Sequence, residues 1–186
     1  MNLYYKSIKN AGFTLVELMI VFFIVVIIAA VAIPNLRSSQ ATTLVGTYAD
    51  QIVGAFSFAR TEAVTRNKTV TICARHTGRD DPIPSTTLCS DDSSAWADGW
   101  IIFHDLDNDG TIESADGDVI LREQQPLKGI IEIATANSEF DYRASGEVSA
   151  TQSFTLKDPD YCTGNQKRAI KISAAGFADS KAVSCP

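Results

Sequence analysis

Oxygen-bearing side chains recur at alternate positions in one short segment of the 186-residue chain. Asp105, Asp107 and Asp109 precede Gly110, which is the spacing of a calcium loop with oxygen ligands at positions 1, 3 and 5 and glycine at position 6. The further oxygen donors of this loop are Thr111, Glu113 and Asp116. The spacing makes a calcium site one interpretation of this segment, and calcium is the one cofactor that the sequence suggests.

A hairpin turn without metal is the interpretation that we favour for this loop, because Asp, Asn and Gly favour tight turns by their own chemistry. The flanking residues 99–104 and 118–123 alternate as strands do, whereas a calcium loop of this template lies between helices. Position 12 carries Asp116, whose side chain is shorter than the usual Glu. If the turn holds no metal, the sequence implies no cofactor.

Acidic residues dominate the charge of the chain. The formal net charge is −6, and eleven acidic residues from Asp80 to Asp118 are interrupted by no Lys or Arg. Such a surface repels DNA and anionic membranes. Binding to nucleic acid would therefore require a local basic patch elsewhere in the chain.

Four cysteines, an even number, predict two disulfide bonds in an oxidising compartment. Three pairings are conceivable for Cys73, Cys89, Cys162 and Cys185. We favour Cys73 with Cys89, which closes the loop between the first two predicted strands, and Cys162 with Cys185, which fixes the last hairpin and the terminus. A zinc site is the alternative, but no two of the cysteines have the close spacing of common structural zinc sites.

Catalytic chemistry has little support in the sequence. His76 and His104 are the two histidines of the chain, and no nucleophile-elbow or phosphate-binding glycine motif accompanies them. We therefore expect no enzymatic activity.

An apolar segment covers residues 13–33, in which Thr14 and Glu17 are the polar members. It is long enough to cross a bilayer core of about 30 Å as a helix. Lys6 and Lys9 precede it, which predicts a cytoplasmic N-terminus and an exported C-terminal part. A charge such as Glu17 costs about 2.5–3.5 kcal/mol at mid-membrane on insertion scales, so this carboxylate needs a positive partner.

A secretory signal peptide, cleaved after Ala32, is an alternative interpretation of this segment. It would release a soluble calcium-binding domain. The apolar stretch is longer than that of an ordinary signal peptide, and its acidic residue is unusual there.

A helix is predicted to continue beyond Pro34 as far as about residue 67. Apolar or small residues recur there at steps of 4, 3, 4, 3 and 4, which defines one helical face. They are Val45, Ala49, Ile52, Phe56, Ala59 and Ala63.

Seven later segments alternate with a period of two and are predicted as strands. They are residues 69–74, 99–104, 118–123, 130–134, 153–157, 168–173 and 181–185. One helix followed by strands predicts an α+β fold, with an antiparallel sheet packed on the second half of the helix. We expect Trp100 in the core and Trp96 in a covering loop.

Gly12-Phe13-Thr14-Leu15-Val16-Glu17, followed by an apolar run, resembles the prepilin signature of type IV pilins and type II secretion pseudopilins. The resemblance implies that prepilin peptidase cuts after Gly12 and methylates the new amine of Phe13, and that the apolar helix is retained. It also implies that Glu17 serves assembly by pairing with the amine of a neighbouring subunit.

Two further phrases, ARTEAVTRNKTVTIC at 59–73 and DGWIIFHDLDNDG at 98–110, resemble the GspH/FimT/FimU family of minor pilins and pseudopilins. The resemblance implies a pilin-like fold, with a long N-terminal transmembrane and amphipathic helix packed on a small antiparallel sheet domain. The corresponding parts are a leader (1–12), an assembly helix (13–33), an amphipathic half-helix (34–67) and a β-rich domain (68–186).

Function and location follow from the same resemblance. It implies a minor pilin that initiates or caps a type IV pilus, with roles in twitching motility, adhesion or DNA uptake; the alternative is a minor pseudopilin of type II secretion. The implied partners are other major and minor pilins or pseudopilins, prepilin peptidase and inner-membrane lipid. The globular domain is expected in the periplasm and then on a pilus or pseudopilus.

DNA is a further partner suggested by the resemblance, because some FimT-like pilins bind DNA through arginines of the last hairpin. The corresponding segment here, residues 175–179, lacks arginine. The nearby candidates for a nucleic-acid site are Lys167, Arg168, Lys171 and Lys181.

Overall fold

The computed structural model describes residues 13–76, 88–107, 110, 112, 117–129, 131–149 and 151–185, with the backbone alone at 34 and 35. Gly12 of the predicted cleavage site lies outside the described residues. The same holds for four predicted calcium ligands, Asp109, Thr111, Glu113 and Asp116. The chain divides into two compact units, residues 1–38 and 39–186.

Helix α1 (Leu15–Arg66) belongs in part to each unit, and it runs through position 34 without interruption. In the first unit the helix is apolar on every side and exposed, as at Leu15 (76% exposed) and Phe22 (64% exposed). Among the described residues, α1 is the one helix long and apolar enough to cross a membrane. A helix that is apolar on all sides requires lipid or other apolar surfaces around it.

Eight strands follow α1 within the described residues and form two antiparallel sheets. The first sheet has the order β3-β2-β1-β5 and the second the order β4-β6-β7-β8. The strands are β1 (Val70–Ala74), β2 (Trp100–His104), β3 (Val119–Gln124), β4 (Glu132–Thr135), β5 (Glu139–Tyr142), β6 (Gln152–Lys157), β7 (Lys167–Ile172) and β8 (Ala178–Val183).

The predicted α+β class is confirmed, but the strands divide between two sheets and not one. Strand β5 was not predicted. It has four residues, in which the buried Phe140 and Tyr142 alternate with acidic residues, and it pairs with β1. Its period is that of a half-buried strand, but its length is too short to give a strong signal.

The predicted face of α1 forms the centre of the core, and all six of its residues are buried. One face of each sheet packs in the same core, with Ile72 and Ile102 from the first sheet and Phe154 and Ile170 from the second. The helix therefore binds the two sheets together through a single apolar cluster.

Trp96 belongs to this core, so its prediction as a covering loop residue was wrong. It lies in a short 3-10 helix, Ala95–Asp98, and is fully buried. Its ring centroid is 5.0 Å from that of Phe154 and 6.0 Å from that of Phe56. Its indole N–H donates to the carbonyl oxygen of Asn137 at 3.0 Å. Because this polar atom has a partner, the ring can be buried completely.

Phe56 offers a direct test of the core. Its ring lies 5.3 Å from Phe140 and 5.4 Å from Phe154 between centroids, so truncation leaves a cavity that three elements must close. We expect Phe56→Ala to lower the free energy of unfolding by about 3–5 kcal/mol in chemical denaturation. Val64→Ala, on the exposed side of the same helix, is the control and should change it by less than about 0.5 kcal/mol. Equal effects of the two substitutions would contradict this core.

Candidate assembly site at the start of the helix

The first turn of α1 is closed by Thr14. The backbone N–H of Glu17 donates to Thr14 Oγ1 at 3.2 Å, and the N–H of Leu18 donates to the Thr14 carbonyl oxygen at 3.2 Å. Thr14 is therefore the N-cap, and Thr-x-x-Glu is the spacing of a capping box. Thr14 was not predicted to be an N-cap, although the Thr-x-x-Glu spacing alone could have indicated it.

Glu17 lies in the first turn, where a negative charge is favoured by the helix dipole. Its surroundings on the helix surface are apolar, formed by Phe13, Leu18 and Val21. All three are exposed, with Phe13 the most exposed at 85%. A carboxylate in such surroundings is stable in lipid or in a helix bundle only when a cation pairs with it. The arrangement can therefore bind an amine presented by another chain.

The cap can be tested separately from assembly. Thr14→Val removes the hydroxyl oxygen that accepts the N–H of Glu17, whereas Thr14→Ser keeps it. We expect faster amide hydrogen exchange at Glu17 and Leu18 in Thr14→Val, corresponding to a loss of about 0.5–2 kcal/mol in local stability, and near-normal exchange in Thr14→Ser. The measurement uses the full chain in detergent micelles, and equal protection in both variants would show that Thr14 does not cap the helix.

Comparison with known proteins gives the family of the chain. The model of the family described as type II transport protein GspH matches residues 48–176, which is more than half of the chain. The chain belongs to the GspH family. The prokaryotic N-terminal methylation motif matches residues 8–33, the segment that contains Phe13, Thr14 and Glu17. The family resemblance inferred from the sequence is thus confirmed, and with it a place among the minor pilins and pseudopilins.

Two solved structures share the fold of this GspH-family chain. Both are crystal structures of the type IV minor pilin FimU from Pseudomonas aeruginosa. One has a TM-score of 0.53 and 16% sequence identity, and the match covers 80% of this chain and 92% of that one. The other has a TM-score of 0.51 and 17% identity, with coverage of 73% and 91%. No curated protein sequence matches the chain.

The family and the structure together define the protein as a structural pilin whose partners are other pilins of its assembly. Its methylation motif and its exposed apolar helix are those of a membrane-anchored pilin. The predicted pilin-like fold is confirmed by the two FimU structures.

Both favoured disulfide pairings are present. Cys73 is bonded to Cys89 across 16 residues, and Cys162 to Cys185 across 23 residues, with Cα–Cα distances of 5.5 and 5.7 Å. All four cysteines are used in this way, so no thiolate is left for a zinc site. A disulfide that closes a loop of this length stabilises the folded state by about 3 kcal/mol, because it restricts the unfolded chain.

Five carboxylates gather at one end of the first sheet, and we call this group the acidic corner. One carboxylate oxygen each from Asp105, Asp107 and Asp118, the atoms that could bind a metal ion, lie within 4.8 Å of one another. Thr71 Oγ1 lies 2.8 Å from Asp141 Oδ1, to which it donates, and 3.4 Å from Asp105 Oδ2. The fifth member, Glu139, has its carboxylate close to Gly110.

Two predicted calcium ligands, Asp105 and Asp107, therefore come together, and Asp118 joins them although it was not in the predicted set. Hydrogen bonds of the turn already engage two of the three. Asp105 Oδ2 accepts the N–H of Gly110 at 3.1 Å, and Asp118 Oδ1 accepts the N–H of Leu106 at 3.0 Å. These bonds are those of a tight turn, and calcium binding stays a prediction.

A calcium titration distinguishes the two interpretations of the loop. If the loop binds calcium, Tm rises with calcium in the wild type, by the equivalent of about 2.7 kcal/mol at a hundred times Kd, and does not rise in Asp107→Asn. Asp91→Asn, an exposed residue before the 3-10 helix, is the control and should respond as the wild type does. A Tm that is independent of calcium in all three proteins would leave the hairpin turn as the correct interpretation.

The four basic residues proposed for nucleic acid do not lie on one surface. Lys167 and Lys171 alternate with the buried Ile170 and Ile172 of β7 and face outward. Arg168 pairs across the sheet with the buried Leu156 and therefore faces the helix. A Cβ added at Gly46 of α1 would lie 3.7 Å from its guanidinium. Arg168 therefore cannot share a DNA site with these lysines, and DNA binding stays a prediction for the three lysines alone.

The outward lysines have further neighbours on the same face. Lys181 of β8 is directly opposite Ala169 of β7, which fixes its side of the sheet. Lys157 of β6 is also on this face, where its Nζ lies 3.0 Å from a carboxylate oxygen of Glu132. We call Lys157, Lys167, Lys171 and Lys181 the lysine face.

His104 is buried at the end of β2 and does not extend into solvent as a strand-end residue would. Burial lowers the pKa of His104, and the charges of Lys68 and Arg66 lower it further. The imidazole is thus neutral at physiological pH, which suits its position beside Val70 on the neighbouring strand.

Proposed function

We propose that the chain is a minor pilin of a type IV pilus, anchored in the inner membrane with its globular domain in the periplasm before it enters the fibre. The observation that supports assembly through the helix is the start of α1, where Glu17 stands in an exposed apolar helix. An ordinary anchor helix does not need this charge.

Assembly is favoured because it neutralises the Glu17 charge, which is costly in apolar surroundings. Cleavage after Gly12 creates an amine on Phe13, which remains positively charged after methylation. In a fibre, this amine of one subunit pairs with Glu17 of its neighbour, and the pair offsets a desolvation cost that either charge alone would bear. Because an unpaired charge is expensive, the pairing also fixes the axial register of adjacent helices.

We infer a low-abundance subunit that initiates or caps the pilus, in support of twitching, adhesion or DNA uptake. The shared fold of FimU, a type IV minor pilin, supports this role. The alternative is a minor pseudopilin of type II secretion, which the description of the family supports. Both use the same chemistry at the helix start.

Deletion of the gene in the native host separates the two candidates. We expect loss of twitching motility with normal exoprotein secretion; the reverse phenotype would establish the pseudopilin.

Glu17→Ala tests the assembly chemistry. We expect the variant to be processed and present in membranes at wild-type level, but to fall by about tenfold or more in fibres sheared from the cell surface, because the Phe13 amine of its neighbour loses its counter-ion. The matched control is Val16→Ala, an exposed neighbour in the same turn, which should enter fibres normally. Equal incorporation of both variants would contradict the proposed pairing.

A further inference from the structure

Strand β3 (Val119–Gln124) is an edge of the first sheet, because β2 is the one strand with which it pairs within the described part of the chain. An edge strand directs a row of backbone N–H and C=O groups away from its sheet. Among the described residues, the backbone of β3 makes no hydrogen bond outside its pairing with β2. A further strand could therefore pair with this edge.

The first two residues of β3 are apolar, and they are exposed on opposite faces of the sheet. Val119 is 53% exposed and Ile120 is 44% exposed. Val119 is paired with His104, on the side of the sheet that faces α1. Ile120 is paired with Phe103, which belongs to a second apolar cluster on the opposite side. An added strand with apolar residues at consecutive positions would cover both side chains.

The other three edge strands differ from β3 in length or in charge. Strands β4 and β5 have four residues each, with Glu132 in β4 and Glu139 and Asp141 in β5. Strand β8 carries Asp179 and Lys181. Of the four described edge strands, β3 is the one with exposed large apolar side chains. Short length and charge are devices that protect edges from pairing, so their absence at the start of β3 indicates a surface for a partner.

The charged half of β3 makes contacts within the molecule. A carboxylate oxygen of Glu123 lies 3.1 Å from Arg75 Nη2, and the guanidinium carbon of Arg122 lies 5.8 Å from the ring centroid of Phe58. The register with β2 shifts at Leu121, which forms a bulge between the two halves of the strand. Because a bulge interrupts regular pairing, an added strand would be short and centred on the apolar half.

We propose that the edge of β3 binds an extended apolar segment of a different pilin subunit, which adds a fifth strand to the first sheet. Backbone hydrogen bonds supply the affinity of such a contact, and the side chains that cover Val119 and Ile120 supply its specificity. The inference rests on the proposed function, in which the partners are other pilins. It deepens that function by naming the surface through which the globular unit recognises a neighbouring subunit.

A second copy of this chain does not suit the edge. Two identical β3 edges that pair antiparallel are related by a two-fold axis perpendicular to the sheet. This axis would reverse the direction of the helix packed on the sheet, whereas two anchored subunits point the same way. Pairing of β3 with another edge of a second copy would propagate, which a low-abundance initiating or capping subunit does not do. A different pilin is therefore the partner.

Site-specific photo-crosslinking of the full-length chain in its native host tests this contact. Ile120→p-benzoylphenylalanine places the photoreactive group at the edge, and mass spectrometry identifies the peptides joined by irradiation. We expect an adduct with another pilin or pseudopilin, attached within an extended apolar segment. The control is Asp179→p-benzoylphenylalanine on the charged edge β8, at which the adduct should be about tenfold weaker or absent.

Substitutions at the same edge test whether the contact serves assembly. Val119→Lys with Ile120→Lys places charge where the partner strand would pack, so recovery of the chain in sheared fibres should fall by about fivefold or more. The matched control, Val119→Ile with Ile120→Val, keeps both side chains apolar and β-branched and should be recovered like the wild type. Circular dichroism and Tm establish that both double variants are folded.

Absence of an adduct at position 120 would overturn the proposal. An adduct within the same chain, with a second copy or with a protein other than a pilin would also overturn it, as would equal recovery of the two double variants. Glu17→Ala separates these results from the proposed function, because it removes the helix pairing and leaves β3 unchanged. If Glu17→Ala blocks fibre entry but the wild-type edge gives no adduct, the edge contact alone is wrong.

Discussion

The apolar surface of residues 13–33 must be removed from water, because each square ångström left exposed costs about 25 cal/mol. The described side chains of this segment are exposed on every side of helix α1, and lipid or other helices must supply the cover. A single carboxylate, Glu17, is placed in this segment next to a capped first turn. Lipid can cover the apolar side chains but cannot neutralise the charge, so the segment is better satisfied among other helices than in a membrane.

The globular unit uses the same helix in a different way. From Val45 to Ala63 the helix is amphipathic, and its buried stripe brings both sheets into one core. Phe56 and Trp96 are at the centre of an aromatic group that contacts residues of both sheets. The other face of the first sheet buries a smaller apolar cluster that includes Cys73, Ile101 and Phe103, with the acidic corner at one end, whereas the outer face of the second sheet carries lysines. Two disulfides add covalent links, one from Cys73 of β1 to Cys89 and one from Cys162 to Cys185 beyond β8.

Features that repeat along the sequence could be predicted, whereas contacts between residues far apart in the sequence were harder to predict. The helix stripe, the α+β class and the cysteine pairs followed from spacing, because each depends on local geometry or on a small number of alternatives. Strand β5 was missed because four residues carry too little periodicity, and Trp96 because nothing local shows that the chain folds back over it. Arg168 was grouped with its neighbouring lysines, although a period of two places it on the opposite side of β7. Asp118 joins Asp105 only through the pairing of β2 with β3.

Mass analysis of the N-terminal peptide, on protein taken from membranes of the native host, is the decisive measurement. Assembly through Glu17 requires an apolar helix that is retained after cleavage and that begins with a charged amine. We expect a chain that starts at N-methylated Phe13. A chain that starts at Ile33, as signal peptidase would leave it, or one that retains Met1 and its leader, would contradict this mode of assembly.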